Sequence, residues 1–393
     1  MKKIHILFVC GVMAVLVAGL ARTLLFPEEI NTYENRYAGQ MPAFSAESCL
    51  DRSFQDGVDA ALMDQIPLAQ TMKSLYNRVT AGFQKETLDW SGSLAGISGD
   101  QYVDFNGLRL FGDGYLTYWP RYAASVQAEL EAKCQSLNET FARYPELEFY
   151  AYYIEKDTDL DFETGEKTGL SQYLLEHLDL PQARMGVYAI DSFQDFSANF
   201  YKTDAHWNHQ GSYRGYCQLA QLLGIREALL TPTGEAVKLS SKFSGKKAST
   251  VGGEGVFTED FYGYPYAFPP MTVTIDGAPA EDYGNQAAYL AGEAEEPVSY
   301  GGYYGGDNGE TVLSTGAQGR GNLLVVGESF DNAVLKLLAS HYDTLYSVDL
   351  RYYAHTMGEP FELSAYVQEH QITKVLLMGN IDFYIQDAFN LEG

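Results

Sequence analysis

Three side chains that act together in acyl transfer stand at separated points of this chain: a Ser behind an apolar run, and an Asp and a His two positions apart. The Ser is Ser329, in Leu323-Leu324-Val325-Val326-Gly327-Glu328-Ser329-Phe330. An apolar strand ending in a small residue, an acid and a Ser presents that Ser at the carboxyl end of a sheet strand, where open α/β sheets place their ligands. Helical spacing resumes at Phe330, so Ser329 also stands at a helix N-terminus, whose partial positive charge favours an oxyanion. Ser is equally at home there as a simple helix cap. The acid and base are Asp204 and His206, in Thr203-Asp204-Ala205-His206-Trp207-Asn208, ahead of a helix beginning near Gln210. A Ser hydroxyl is a poor nucleophile until an imidazole accepts its proton, and the imidazole needs a carboxylate to fix its tautomer. Residues two apart project to one side of an extended segment, so Asp204 and His206 can supply both groups.

Other chemistries fit less well. Asp204, His206 and His209 read as a zinc set, Asp-x-His-x-x-His, but that leaves Trp207 and the Ser329 segment without a part. Asp157, Asp159 and Asp161 have the spacing that opens a calcium loop, yet Phe162 stands where that loop requires Gly and Thr168 where it requires Glu. A solvated acidic loop is the better reading. No metal or other cofactor is expected. For the oxyanion, the backbone N–H of Ser329 is the first candidate. Asn380, after the last strand, and Arg351, after another strand end, are the others. Asn380 can instead satisfy a loop backbone, and Arg351 can instead pair with one of the many acids. The run from Tyr300 to Gly306, with Tyr303 and Tyr304, either lines a glycan groove through ring stacking or forms a flexible loop tip.

Such groups need a sheet to hold them. Strand-like runs at Leu147 to Ile154, Gly186 to Ile190, Asn322 to Val326, Thr344 to Asp349 and Lys374 to Met378 alternate with helical spacing at Ser171 to Leu178, Gln210 to Leu223, Phe330 to His341 and Phe361 to His370. That alternation predicts a mostly parallel sheet flanked by helices. A Gly- and Pro-rich interval at about 231–318, with a strand at Met271 to Ile275, interrupts it as an insertion or a set of long loops. Upstream, apolar residues from Phe54 to Phe83 recur at helical spacing, broken near Pro67, and Arg121 to Tyr144 reads as a long helix. The expected division is a signal anchor at 1–26, an extended and helical leader at 27–90, and a catalytic domain at 91–393.

Lys2 and Lys3 precede an apolar run from Ile4 to Ala21, near the roughly 20 residues that cross a bilayer. Basic residues before such a run place the rest of the chain outside the cytoplasm. An uncleaved, single-pass membrane anchor is favoured, and cleavage after Ala21 would give a secreted protein. The 393 residues carry 52 acidic against 26 basic side chains, a net charge of −26. That surface repels phosphates, which excludes nucleic acid and anionic lipid headgroups as primary partners. The abundance of Tyr, 30 in all, suits rings stacked on sugars or a Tyr-rich core. Cys10 lies in the anchor, and Cys49, Cys134 and Cys217 show no Cys-x-x-Cys spacing, so neither a zinc site nor a dithiol motif is supported and no pairing is assigned.

Taken together the motifs resemble a known family. Glu34-Asn35-Arg36, Asp64-Gln65-Ile66-Pro67, Gly112-Asp113-Gly114-Tyr115-Leu116, Thr203-Asp204-Ala205-His206-Trp207, Gly327-Glu328-Ser329-Phe330 and Asp349-Leu350-Arg351-Tyr352-Tyr353 are similar to the pattern of the DHHW family. That family is related to the SGNH-hydrolase-like alginate O-acetyltransferase accessory proteins of the cell envelope. The resemblance covers nearly the whole exported region. Ala205 departs from it at the first His of the family's name, and Glu328 at the Asp before the Ser; neither removes a triad group. The resemblance implies an SGNH-like, flavodoxin-like α/β fold, permuted because acid and base precede the nucleophile, with Ser329, His206 and Asp204 as the triad. It further implies O-acetyl transfer to a cell-surface polysaccharide through an acetyl-Ser intermediate, with a membrane-bound O-acyltransferase as donor partner. A carbohydrate acetylesterase of the same mechanism, and a non-catalytic glycan-binding or assembly protein, stay open beside it.

Overall fold

In the computed structural model the run Leu323-Leu324-Val325-Val326 is fully buried. Leu323 and Val325 face one apolar core and Leu324 and Val326 another, because successive side chains of a strand point to opposite faces. A strand covered on both sides has no polar face to show, hence the unbroken apolar run. It belongs to an eight-stranded sheet. Numbered along the chain, the strands are β1 (Glu148–Ile154), β2 (Met185–Tyr188), β3 (Thr272–Ile275), β4 (Ala278–Pro279), β5 (Glu310–Ser314), β6 (Asn322–Val326), β7 (Thr344–Val348) and β8 (Ile372–Gly379). They lie in the order β4-β3-β5-β7-β6-β8-β1-β2. Pairings from β7 to β2 are parallel, and those from β4 to β7 antiparallel.

Counted from β6 to the C-terminus and then on from β1, the parallel strands run 2-1-3-4-5, the flavodoxin-like order. The chain ends have moved to a break between the third and fourth of those strands, which is the permutation. From β6 the chain steps to one side, and from β1 to the other. The carboxyl edge around β6, β8 and β1 is therefore the switch point at which such sheets bind ligands.

Helices cover both faces. Gln127–Arg143 buries Leu130, Cys134, Leu137 and Phe141, a spacing that keeps them on one stripe, and packs with Leu170–His177 and Leu363–Glu369 over one core. His209–Leu222 and Leu335–Ala339 cover the other. The expected helix from Phe330 is instead a single tight turn, Asp331–Ala333, before the short Leu335–Ala339. Asp331 and Asn332 turn inward to bond Ser347 and Asp307, which breaks the helical run. The interval 231–318 adds to the sheet: it supplies β3, β4 and β5, together with a hairpin of Val237–Phe243 and Glu259–Gly263 and the helix Lys246–Thr250.

The structure describes residues 2–25, 30, 31, 36, 37, 39, 42–45, 48, 49, 52–65, 69–91, 101–284, 286, 289, 298–386 and 389–391. The chain divides into two units, Met1–Glu86 and Thr87–Gly393. In the first, Lys2–Leu25, Ser53–Gln65 and Ala69–Ser91 begin or form helices. The break near Pro67 and the Glu34-Asn35 pair fall outside the described residues. Among the described residues no helix is long and apolar enough to cross a membrane. Many side chains of Lys2–Leu25 lie outside that set, and the expected membrane anchor has no support from the fold.

Candidate active site

The segment that carries the acid and base is a tight loop closed at its neck. Phe200 bridges Trp207, the Tyr201 amide donates to the His206 carbonyl at 3.2 Å, and the Asn208 amide to the Asn199 carbonyl at 2.8 Å. Asn208 Oδ1 accepts from the Gln210 and Gly211 amides, capping the helix His209–Leu222. Trp207 is buried against Tyr188 and Phe330. Gly215 makes room for it, since a Cβ there would meet the indole at 2.5 Å. Trp207 thus pins the loop to the core while Asp204 and His206 stand at its tip.

Those two residues and Ser329 form one hydrogen-bonded chain. Asp204 Oδ1 lies 2.5 Å from His206 Nδ1, and His206 Nε2 lies 2.7 Å from Ser329 Oγ. An ionised carboxylate only accepts, so Nδ1 carries the proton and Nε2 is left to accept from the Ser329 hydroxyl. The Asp204 carboxylate also takes the backbone amides of His206 at 2.9 Å and Lys246 at 2.7 Å. Burial alone would raise its pKa, but the pairing with His206 and these bonds outweigh it and hold the carboxyl at about 2. Ser329 and His206 keep partial exposure, as groups that must meet a substrate do. Ser329 caps no helix; the short helix after it has no side-chain cap.

The interval 231–318 supplies the walls. A Cβ at Gly245 would lie 2.2 Å from Asp204 Oδ2, so only Gly lets the Gly245-Lys246 backbone reach the carboxylate. Glu259 Oε1 accepts from the Thr203 amide and hydroxyl, each at 2.7 Å. Lys247 Nζ pairs with Asp157 at 2.7 Å, with both side chains wholly buried. Tyr300 stacks on the His206 ring, centroids 4.0 Å apart and planes within 12°.

The remaining sequence candidates sit elsewhere. The Asn380 amide and Nδ2 both donate to Glu328 Oε1, and Asn380 Oδ1 caps the Ile381–Ile385 helix, so both donors of Asn380 point at Glu328. Burial holds the Glu328 carboxyl above its usual range, against the pull of Arg351 and Lys156. Arg351 forks onto Asp349, Nε to Oδ1 at 2.9 Å, and its NH2 group reaches Asp307 at 3.4 Å. Burial works against its charge, but the bonds to Asp349 prevail and hold the guanidinium more basic than usual. Tyr303 and Tyr304 are not a loop tip, and both line a narrow pocket. They lie buried in a short helix, Tyr300–Tyr304, whose start is capped by Ser299 and which stops at Gly305, φ 117.

Asp157 and Asp159 do not form a solvated loop either; both are buried. Asp157 meets Lys247, a partner remote in sequence, and Asp159 accepts from the Tyr153 hydroxyl at 2.6 Å. Asp159 is pushed up to about 7 by burial. For the zinc set, both His206 nitrogens are engaged, and His209 packs on Tyr262 and Tyr264 instead. Among the described residues no three His, Cys, Asp or Glu side chains are grouped to hold a metal. Sequence reasoning passed over Gly245, Lys246 and Glu259, and placed Tyr300 in a candidate groove or loop tip without foreseeing its contact with His206. All lie in the Gly-rich interval, and only the Gly-Lys-Lys step and the repeated Tyr marked them.

No protein-family model matches the chain, and no curated protein does. Solved structures do. A DHHW family protein from Eubacterium siraeum superposes with a TM-score of 0.56 at 14% identity, over 74% of this chain and 96% of that one. The chain has the fold of a DHHW family protein. PatB1 of Bacillus cereus, solved with a sulfonyl adduct, superposes with a TM-score of 0.54 at 22% identity, over 72% of this chain and 97% of that one. A second structure of PatB1 gives 0.52 at 20% identity, over 74% and 99%.

Proposed function

We propose that this chain is an extracytoplasmic enzyme that transfers acetyl groups to a cell-surface polysaccharide through an acetyl-Ser329 intermediate. The observation that carries the reading is the unbroken line of hydrogen bonds from Asp204 through His206 to Ser329 at the switch point of the sheet. Ser329 Oγ attacks the acetyl carbonyl while His206 Nε2 takes its proton, and the Ser329 backbone N–H faces the developing oxyanion. The tetrahedral species collapses, His206 returns the proton to the departing group, and acetate is left esterified to Ser329. A sugar hydroxyl then gives its proton to His206 and attacks the acetyl carbon; as the bond to Ser329 Oγ breaks, His206 returns that proton to Oγ, restoring Ser329 and releasing the acetylated sugar. Asp204 holds the imidazole tautomer and offsets its charge during both halves. A neighbour of the same fold was solved with a sulfonyl adduct, which suits a site built to capture an electrophile.

The acetyl group, the polymer, the membrane-bound O-acyltransferase as donor partner and attachment through the N-terminal helix rest on the family resemblance and the Lys2/Lys3 flank. The test supplies an activated acetyl ester and a hexasaccharide to the purified protein and weighs the products. An O-acetylated sugar, absent with Ser329→Ala, is the expected result. Release of acetate alone would make the protein an esterase, and no turnover at all would leave a glycan-binding protein.

A further inference from the structure

Beyond the triad, an alternating aromatic run, Tyr262-Gly263-Tyr264-Pro265-Tyr266-Ala267-Phe268, leaves the hairpin strand Glu259–Gly263. Phe261 and Gly263 turn to the core, and Gly263 lies so close to Tyr303 that a Cβ would meet its hydroxyl at 2.1 Å. The rings of Tyr262, Tyr264, Tyr266 and Phe268 are each half-buried, and Tyr266 and Phe268 also pack one side against the core. They touch in sequence: Tyr264 to Tyr266 at 6.3 Å and Tyr266 to Phe268 at 5.5 Å between centroids. At the near end His209 packs on both Tyr262 and Tyr264, at 5.7 and 4.9 Å. His209 opens the helix that begins three residues after His206, and Asn332 and Ala333, three and four residues after Ser329, line one pocket with His209, Tyr264 and Tyr266. At the far end Phe268 and Lys336 line both a narrow pocket under Tyr264 and Tyr266 and a cleft of about 460 Å³.

The charges along this path fit one class of ligand. Asp260 stands beside Tyr262, within 3.3 Å of its hydroxyl, and is paired with Lys238 at 3.0 Å, and Glu281 lines the cleft. The cation of the cleft, Lys336, is turned to the carbonyl oxygens of Tyr283 and Gly284, each at 2.6 Å. An anionic chain would meet carboxylates and a lysine already engaged, on a protein with a net charge of −26. The C–H face of a pyranose, by contrast, suits the electron-rich face of a Tyr ring.

We infer that Tyr262, Tyr264, Tyr266 and Phe268 form a stacking track that holds a chain of neutral or amino sugars and leads it from the 460 Å³ cleft to Ser329. This deepens the proposed transfer to a polysaccharide and rests on it for direction, not for binding. The test measures, by calorimetry on the full chain, binding of three hexasaccharides: a neutral cellohexaose, a cationic glucosamine hexamer and an anionic galacturonate hexamer. Binding of the first two and not the third is expected. Tyr264→Ala with Tyr266→Ala should weaken it about tenfold or more, as truncation of paired aromatic anchors does, while Tyr264→Phe with Tyr266→Phe restores the rings and the affinity. Unchanged binding in the Ala pair, loss in the Phe pair, equal binding of the galacturonate, or no binding of any of the three overturns the track. All are measured again in a Ser329→Ala background, where turnover plays no part. Ring-dependent binding without any acetyl transfer by the parent protein would overturn the enzyme and keep the track.

Discussion

Replacing Asp204 with Asn removes one charge and no volume, and the hydrogen bonds around it decide the effect. The carboxylate accepts three N–H bonds, from His206 Nδ1, the His206 amide and the Lys246 amide. An Asn offers one oxygen and one NH2 to the same three donors, so a donor must face a donor. The ring escapes by moving its proton from Nδ1 to Nε2, and Nε2–H then points at Ser329 Oγ, where no proton can be taken. In a serine protease the same change costs about 10⁴ in turnover, and a loss of that order is expected in hydrolysis of an activated acetyl ester. Stability falls less. The carboxyl is held at about 2 against about 3.9 for a free Asp, which corresponds to roughly 2–3 kcal/mol at neutral pH. A depressed carboxyl stabilises the fold above its unfolded pKa and loses that contribution as pH falls through its folded one. Urea unfolding should therefore show parent and Asp204→Asn well apart at pH 7 and converging from about pH 5 toward pH 2. A variant that keeps more than a tenth of the activity, or a stability gap independent of pH, would refute the assigned tautomer and the charge argument respectively.

The same contacts set three other outcomes. Gly245→Ala places a Cβ 2.2 Å from Asp204 and should cost about 1–3 kcal/mol with a fall in kcat larger than any rise in KM, read from steady-state kinetics and thermal melting. Lys247→Met strands Asp157 in the core and should destabilise by about 3–5 kcal/mol, measured by urea unfolding; a change under about 1 kcal/mol would show that the pair is not buried in solution. Trp207→Ala empties a fully buried site at a cost of about 3–5 kcal/mol, with activity lost below the midpoint of thermal melting because the loop tip is no longer pinned.

The parallel part of the sheet was open to reading because β1, β6, β7 and β8 are largely buried on both faces and are mostly apolar. The antiparallel strands β3 and β5, Thr272–Ile275 and Glu310–Ser314, carry Thr, Ser and Glu. β5 hid its pairing with β7 inside a Gly-rich stretch. The hydrogen-bonded line of Asp204, His206 and Ser329 was legible because acyl-transfer chemistry demands three residue types, and the loop and strand-end contexts of these three are local. The supporting residues were not. Asn380 and Arg351 stand at strand ends as expected, but where their donors point is decided by Glu328 and Asp349, and only packing brings those carboxylates to them. Tyr300 reached His206 through a short helix formed by Ser299 capping and a Gly stop, in a run whose glycines argued for a loop.

Everything proposed for the site requires that Ser329 carry the acetyl group. Incubating the protein with an activated acetyl ester, quenching in acid and mapping peptides by mass spectrometry puts that requirement to the test. A single acetyl group on Ser329, missing from His206→Ala and Ser329→Ala, is the expected result. An adduct on another residue, one that survives Ser329→Ala, or turnover abolished by a chelator with Ser329 unmodified would contradict it.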